Sequence, residues 1–271
     1  MRQRTRDRVA ADDPVRSSSP EPDRRRRLQT WIGVAARAAC LILALGVIST
    51  VLLYPPAAAL ACPQCYGFES ARQNVYVEAL ASAAEKCRAL AAIDAGREQV
   101  SRFFGSQIRE PRILICVHQA CYQKIGSGSS SGMALSDVGL FLSPRGATEV
   151  IAVHELSHIA LHVRLGWVKT ARRAIPQWFD EGLAVVVSND PRYLAPPSAA
   201  DRCLIFSTEA LPTGRGEWIE NAASRDLYAK AACRVWRWLE SHQGSAGALR
   251  LIERVSRGED FDHVLNENPG S

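Results

Sequence analysis

The chain has 271 residues, 47% of them hydrophobic and 23% charged, a balance that excludes fibrous and wholly disordered classes. Its formal charge of +5 belongs to residues 1–37, where ten Arg meet five Asp or Glu; the remaining 23 basic and 23 acidic residues cancel. The body of the chain therefore gives no electrostatic case for nucleic acid as a partner.

Residues 1–30 are Arg-, Asp-, Ser- and Pro-rich with few apolar side chains, too few to offset the entropy of ordering. They read as a disordered cytoplasmic segment. Arg24–Arg27 lead into an apolar stretch, residues 31–61, whose uncharged heart Ala38–Tyr54 has 17 residues. That is short for a spanning helix of about 20 residues and suits the apolar centre of a signal peptide. Pro55 and Pro56 stop the helix, and Ala59-Leu60-Ala61 offers small residues for cleavage before Cys62. A lipoprotein signal is the poorer fit, because Ala59 stands where such signals prefer a branched residue. An uncleaved transmembrane anchor, with Arg37 snorkelling at its inner end, fits as well as cleavage does. Either way residues 62–271 form one domain outside the cytoplasm, secreted or held at the inner membrane through residues 31–61. Lys is scarce against Arg, which suggests a GC-rich bacterial genome and so the periplasm.

Seven cysteines follow Cys40 in the leader, and the periplasm permits disulfides. Cys116 and Cys121 could bridge locally, and Cys203 and Cys233 could staple the segment between them. Cys62 or Cys65 could pair with Cys87, leaving one odd thiol. Cys62-Pro-Gln-Cys65 also has the CxxC spacing of redox and zinc sites, without the strand or second CxxC that would complete either.

Ser70–Phe104 is Ala-rich with charges at helical spacing and predicts one long helix or two, with Gly96 a weak point. Arg112–His118 has a buried-strand pattern, Gly126–Gly132 is a flexible loop, and Met133–Leu142 alternates as a second strand. Ser143 as N-cap and Pro144 as first helical residue predict a helix over about 145–165, stopped by Gly166. Pro176 opens another through Val187. Residues 189–224 cross the surface, and helices follow over Asp226–His242, Ala246–Arg257 and Phe261–Asn268. The sum is an α+β domain, mostly helical, with a small antiparallel or mixed sheet.

The helix over 145–165 carries His154-Glu155-Leu156-Ser157-His158, an HExxH motif. Residues i and i+4 share one helical face, so both imidazoles can reach one metal ion. Glu155 is rotated about 100° from His154, placed to reach a water rather than the ion. The helix is apolar nearly all round, and two His and a Glu buried there need a partner such as a metal. A catalytic zinc wants three protein ligands and an open position. Glu181, in Pro176-Gln177-Trp178-Phe179-Asp180-Glu181-Gly182, is the natural third. Gly182 costs about 1 kcal/mol against Ala in a helix interior, which points to another backbone passing close.

HELSH followed by IPQWFDEGLA resembles the gluzincin, or peptidase-MA-like, zinc metallopeptidases, over about residues 134–190. Their W-x-x-E-G-x-A motif falls on Trp178, Glu181, Gly182 and Ala184. The resemblance implies a zincin-like domain with one Zn2+ held by His154, His158 and Glu181, and Glu155 as general base for water. It implies a small sheet whose edge strand precedes the active-site helix; Met133–Leu142 suits that strand and could pair with a peptide's backbone. It suggests Tyr228 as the donor that stabilises the oxyanion. Two departures stand out. His162 continues the histidine face, but its spacing does not match that of a metzincin third ligand, so it reads as a neighbour. Val185 stands where thermolysin-like enzymes carry an aspartate that orients a ligand histidine, with Asp180 a substitute. The implied function is a metallopeptidase of the cell envelope acting on a peptide or protein. A catalytically silent peptide-binding module and a hydrolase of a cell-wall amide stay open beside it. The sequence carries no signature of the substrate's side chains or of oligomeric state.

Overall fold

A computed structural model describes residues 21–105, 110–126 and 128–267. The chain divides into two units, Met1–Leu52 and Leu53–Ser271. The first holds helix α1 (Glu21–Leu53). This helix begins inside the stretch predicted to be disordered; the rest of that stretch, residues 1–20, lies outside the described residues. Within α1, Gln29–Ser49 has 21 residues and a mean hydropathy of 2.2, long and apolar enough to cross a membrane.

The second unit opens with α2 (Pro55–Ala61), where the prolines start a helix because the first-turn N–H groups have no intrahelical partner anyway. A short 3₁₀ turn (Pro63–Tyr66) follows. The long helix predicted from Ser70 is corrected here: its first part is a hairpin of β1 (Phe68–Arg72) and β2 (Val75–Glu78). Val75, Tyr76 and Val77 are β-branched or aromatic, and Asn74 takes the left-handed conformation (φ 58°) that the turn requires. The Ala-rich remainder is α3 (Ala83–Phe104), started by a capping box in which Ser82 and Glu85 satisfy each other's backbone N–H. Gly96 does not weaken α3. A Cβ there would lie 3.1 Å from that of Ala152, so the glycine lets two helices approach closely.

Next come β3 (Arg112–Ile115), α4 (Gln119–Lys124), β4 (Gly132–Leu135) and β5 (Gly139–Leu142). The single strand predicted over Met133–Leu142 is thus two, folded back on each other through a turn in which Ser136 has φ 50°. The sheet order is β1-β2-β3-β5-β4, with β3 parallel to both β2 and β5 and antiparallel pairs at each end. The sheet is therefore small and mixed, and the domain is α+β. β4 is an edge strand.

Alternation along the strands divides the core. Val75, Val77, Ile113, Ile115, Leu140 and Leu142 join one apolar cluster with the helices that follow. Phe68, Leu114 and Phe141 join a second with Ala59 and Leu60 of α2 and Tyr122 and Ile125 near α4. Both faces are covered, which is why β3 and β5 read as continuous apolar runs.

The remaining elements are α5 (Glu149–Leu165), α6 (Trp167–Ala171), α7 (Gln177–Ser188), α8 (Arg215–Asn221), α9 (Leu227–Ser241), α10 (Ser245–Arg257) and α11 (Phe261–Leu265). The predicted start of α5 is corrected: Thr148, not Ser143, is the N-cap, its hydroxyl accepting from the Ile151 N–H. Ser143 instead accepts from Gly146 in the preceding turn. Cys116–Cys121 and Cys203–Cys233 are bridged. The expected partnership of Cys65 with Cys87 is corrected: Cys65 pairs with Cys62, and Cys87 is a free, exposed thiol on α3. The 3₁₀ turn brings Cys62 and Cys65 together, leaving Cys87 without a reachable partner.

Candidate metal centre

α5 is buried on nearly every side, between α3, α7, α10 and the β4–β5 hairpin. His154, Glu155 and His158 sit within it, each less than a tenth exposed. Polar groups this deep must be partnered. α7 supplies the partners. It starts at Pro176 and is fixed by an aromatic cluster in which Phe179 packs edge-on against Trp178, Trp238 and Phe261.

Three ligand atoms converge. His154 Nε2 lies 3.2 Å from His158 Nε2 and 3.3 Å from Glu181 Oε2, and His158 Nε2 lies 3.6 Å from that oxygen. The other Glu181 oxygen, Oε1, accepts from Gln177 Nε2 at 2.8 Å. Asp180 Oδ1 lies 2.6 Å from His158 Nδ1, and its Oδ2 lies 3.1 Å from His162 Nε2. An acceptor on Nδ1 fixes that proton and turns the Nε2 lone pair of His158 toward Glu181 and His154. His162 is one layer out: it meets Asp180 and stacks on the His158 ring at 6.1 Å between centroids, and with these two it forms a second group that could hold a metal ion. Two imidazole nitrogens and a carboxylate oxygen facing one another form a group that could hold a metal ion.

The charges fit that reading. Burial raises the Glu181 carboxyl, but His158 and His154 outweigh it and hold the group at about 2. Burial likewise works against Asp180, yet His158 and His162 hold it far below the ordinary carboxylate range. For His158, burial disfavours the cation, and the anions Asp180 and Glu181 override it and raise its pKa well above the ordinary value. The site thus concentrates ionised carboxylates that positive charge must balance.

Glu155 differs. Burial raises its pKa, moderated by His154 and His158 and by the Ala134 backbone N–H. β4 runs against it so closely that a Cβ on Gly132 would fall 2.6 Å from its Cγ. Tyr228, the first-turn residue of α9, stacks on Tyr193 (5.0 Å between centroids), meets Trp218 edge-on (5.2 Å) and tilts 6.4 Å from the His154 ring. The Glu181 carboxylate first, and burial second, push its hydroxyl above the usual tyrosine range. His154, Glu155, His158, Asp180, Glu181, Trp218 and Tyr228 line one cleft of about 590 Å3, which reaches from Gly126 to α6 and α8.

Gln177, Gly132, Tyr193 and Trp218 were not foreseen. Gln177 had a signal, since it stands four residues before Glu181 on one helix. Gly132 and Trp218 arrive from separate elements and had none. Gly182 does mark a close approach: its Cβ would lie 2.7 Å from the Ala231 carbonyl oxygen on α9. Because that atom is backbone, no rotamer change relieves it. Gly182→Ala is expected to lose about 2 kcal/mol, from overpacking of about 1–3 kcal/mol against a smaller gain in helix propensity. That is a fall of about 5 °C in thermal midpoint. An unchanged midpoint would show that α7 and α9 separate without cost.

Compared with known proteins, the chain matches no family model, no curated protein and no solved structure.

Proposed function

We propose that this chain is a zinc-dependent peptide-bond hydrolase of the cell envelope, of the gluzincin type. The observation that carries the reading is the spacing of the three ligand atoms, 3.2, 3.3 and 3.6 Å. A tetrahedral zinc with bonds of about 2.0–2.1 Å sets its ligands about 3.3–3.4 Å apart. Two nitrogens and one oxygen, leaving a fourth corner for solvent, are the donor set of a catalytic zinc rather than a structural one.

When bound, zinc supplies Lewis-acid polarisation of a carbonyl and acidifies a water. His154, His158 and Glu181 hold the ion, and Asp180 and Gln177 orient two of the three. Glu155 takes the water proton onto its carboxylate and passes it to the leaving amine. Its buried carboxyl, with a raised pKa, is better matched to that proton transfer than an exposed one. The Tyr228 hydroxyl, protonated at neutral pH, donates to the oxyanion. β4, an edge strand passing beside Glu155, offers backbone groups to an extended peptide.

The apolar α1 and the disulfides support export, with residues 62–271 in the periplasm. Of the two fates for the leader, we favour retention as an anchor. Ala59 and Leu60 are buried in the second apolar cluster, and Arg112 donates to the Leu60 carbonyl. Cleavage before Cys62 would strip these residues from the core. Protein extracted from membranes is expected to carry residues 31–61; an N-terminus at Cys62 in its mass spectrum would refute retention.

The test of function is turnover of a mixed peptide library by protein loaded with one zinc per chain. Zinc bound without cleavage of any peptide would favour a silent binding module. Cleavage confined to amides of cell-wall fragments would favour the third reading.

A further inference from the structure

The cleft continues past the metal centre into an arm made by α6, the turn after it and the start of α8. Leu165 and Ile175 give it apolar surface, and Lys169, Arg173 and Arg215 line it. Lys86, Lys230, Arg192, Arg237, Arg254 and Arg257 each have a carboxylate partner. Lys169, Arg173 and Arg215 have no such partner, a state they share with Arg88, Arg97 and Arg172 among the described residues; what sets them apart is that all three line the cleft of the metal centre.

The carboxylates that line the same cleft are Glu155, Asp180 and Glu181. None is available to the arm. Asp180 and Glu181 are engaged by the histidines, and Glu155 by the Ala134 N–H. With a divalent cation held by neutral imidazoles, the three carboxylates leave the centre about one negative charge, fewer than the three positive charges of the arm. A groove with low-dielectric walls focuses such a field on whatever enters it. Arg173 has φ 52°, a left-handed conformation rare outside glycine, which turns the chain where the arm begins.

We propose that this arm is a specificity site for acidic substrates: Lys169, Arg173 and Arg215 receive an Asp or Glu side chain, or a terminal carboxylate, of the peptide whose bond lies over the metal centre. The inference rests on the hydrolase reading above and adds a substrate class to it. Arginine forks match carboxylates in bidentate geometry, and Lys169 adds a mobile point charge. The arm's exposure to solvent makes the preference sensitive to salt, because screening acts within about 10 Å at 0.1 M.

The test uses two readouts so that the readings separate. Dissociation constants are measured for zinc-loaded Glu155→Gln with two matched peptide series, Glu against Gln at successive positions and free against amidated C-terminus. At one position or terminus the acidic member is expected to bind at least tenfold more tightly, with the margin shrinking severalfold between 50 and 500 mM NaCl. Lys169→Gln/Arg173→Gln/Arg215→Gln is expected to reduce that ratio to about one, and Arg173→Glu/Arg215→Glu to invert it; unchanged thermal midpoints confirm that these substitutions, at two exposed arginines and a half-buried lysine, leave the fold intact. Equal binding of acidic and neutral members, no binding by either, or a preference that survives the triple substitution overturns the proposal. Hydrolysis of the same peptides by unsubstituted protein is scored separately. Cleavage without acidic preference sinks the specificity site alone, and acidic preference in binding without cleavage sinks the hydrolase reading alone.

Discussion

Glu155→Gln should lower kcat/KM for peptide hydrolysis by about 10³-fold, within the range general-base groups contribute, and leave bound zinc unchanged. Glutamine is nearly isosteric, so Gly132 and the Ala134 N–H can still bracket the side chain. It cannot take a proton. Nor does it remove a ligand, because the converging atoms belong to His154, His158 and Glu181. The measurement is steady-state kinetics paired with metal analysis of the same preparation. Full activity in the variant would remove Glu155 from the mechanism, and simultaneous loss of zinc would make it a structural support of the site.

His158→Ala should abolish metal loading, and Asp180→Asn should weaken it by about 10–100-fold. His158 is engaged at both ring nitrogens: Nε2 faces the shared point and Nδ1 is held by Asp180 at 2.6 Å. Removing the imidazole leaves two ligands and a cavity, and in the metal-free protein strips the counter-charge from between Asp180 and Glu181. Removing only the Asp180 charge keeps the ligand but loosens its orientation and basicity. The graded pair separates coordination from positioning. Metal occupancy by elemental analysis, with competition against a chelator for affinity, reads both. Normal occupancy in His158→Ala would refute the ligand assignment.

The centre was legible because its residues obey helical spacing within two short segments. His154 and His158 are one turn apart, and Asp180 and Glu181 follow in a single amphipathic run. What bound those segments together was less visible. The Ala-rich pattern of residues 83–104 ran back over Val75-Tyr76-Val77 and concealed a hairpin whose strands have five and four residues. The hairpin of β4 and β5 hid the same way, since alternation continues through its turn. Cys62 and Cys65 close on each other through a proline-led 3₁₀ turn, a local geometry that spacing alone does not separate from pairing with Cys87. The cations of the arm come from α6, α8 and the turn between α6 and α7, so no window of sequence contains them.

α5 is enclosed by apolar neighbours along nearly its whole length, and that has a bearing on how the protein would take up the ion proposed for it. A preassembled scaffold does not wait for metal to fold, unlike small domains that collapse only around zinc. Chelator-treated protein should therefore keep its tertiary packing, with imidazolium standing in as counter-charge for the carboxylates. On the proposed reading, maturation then reduces to capturing an ion through the open cleft, after the chain has already acquired its shape.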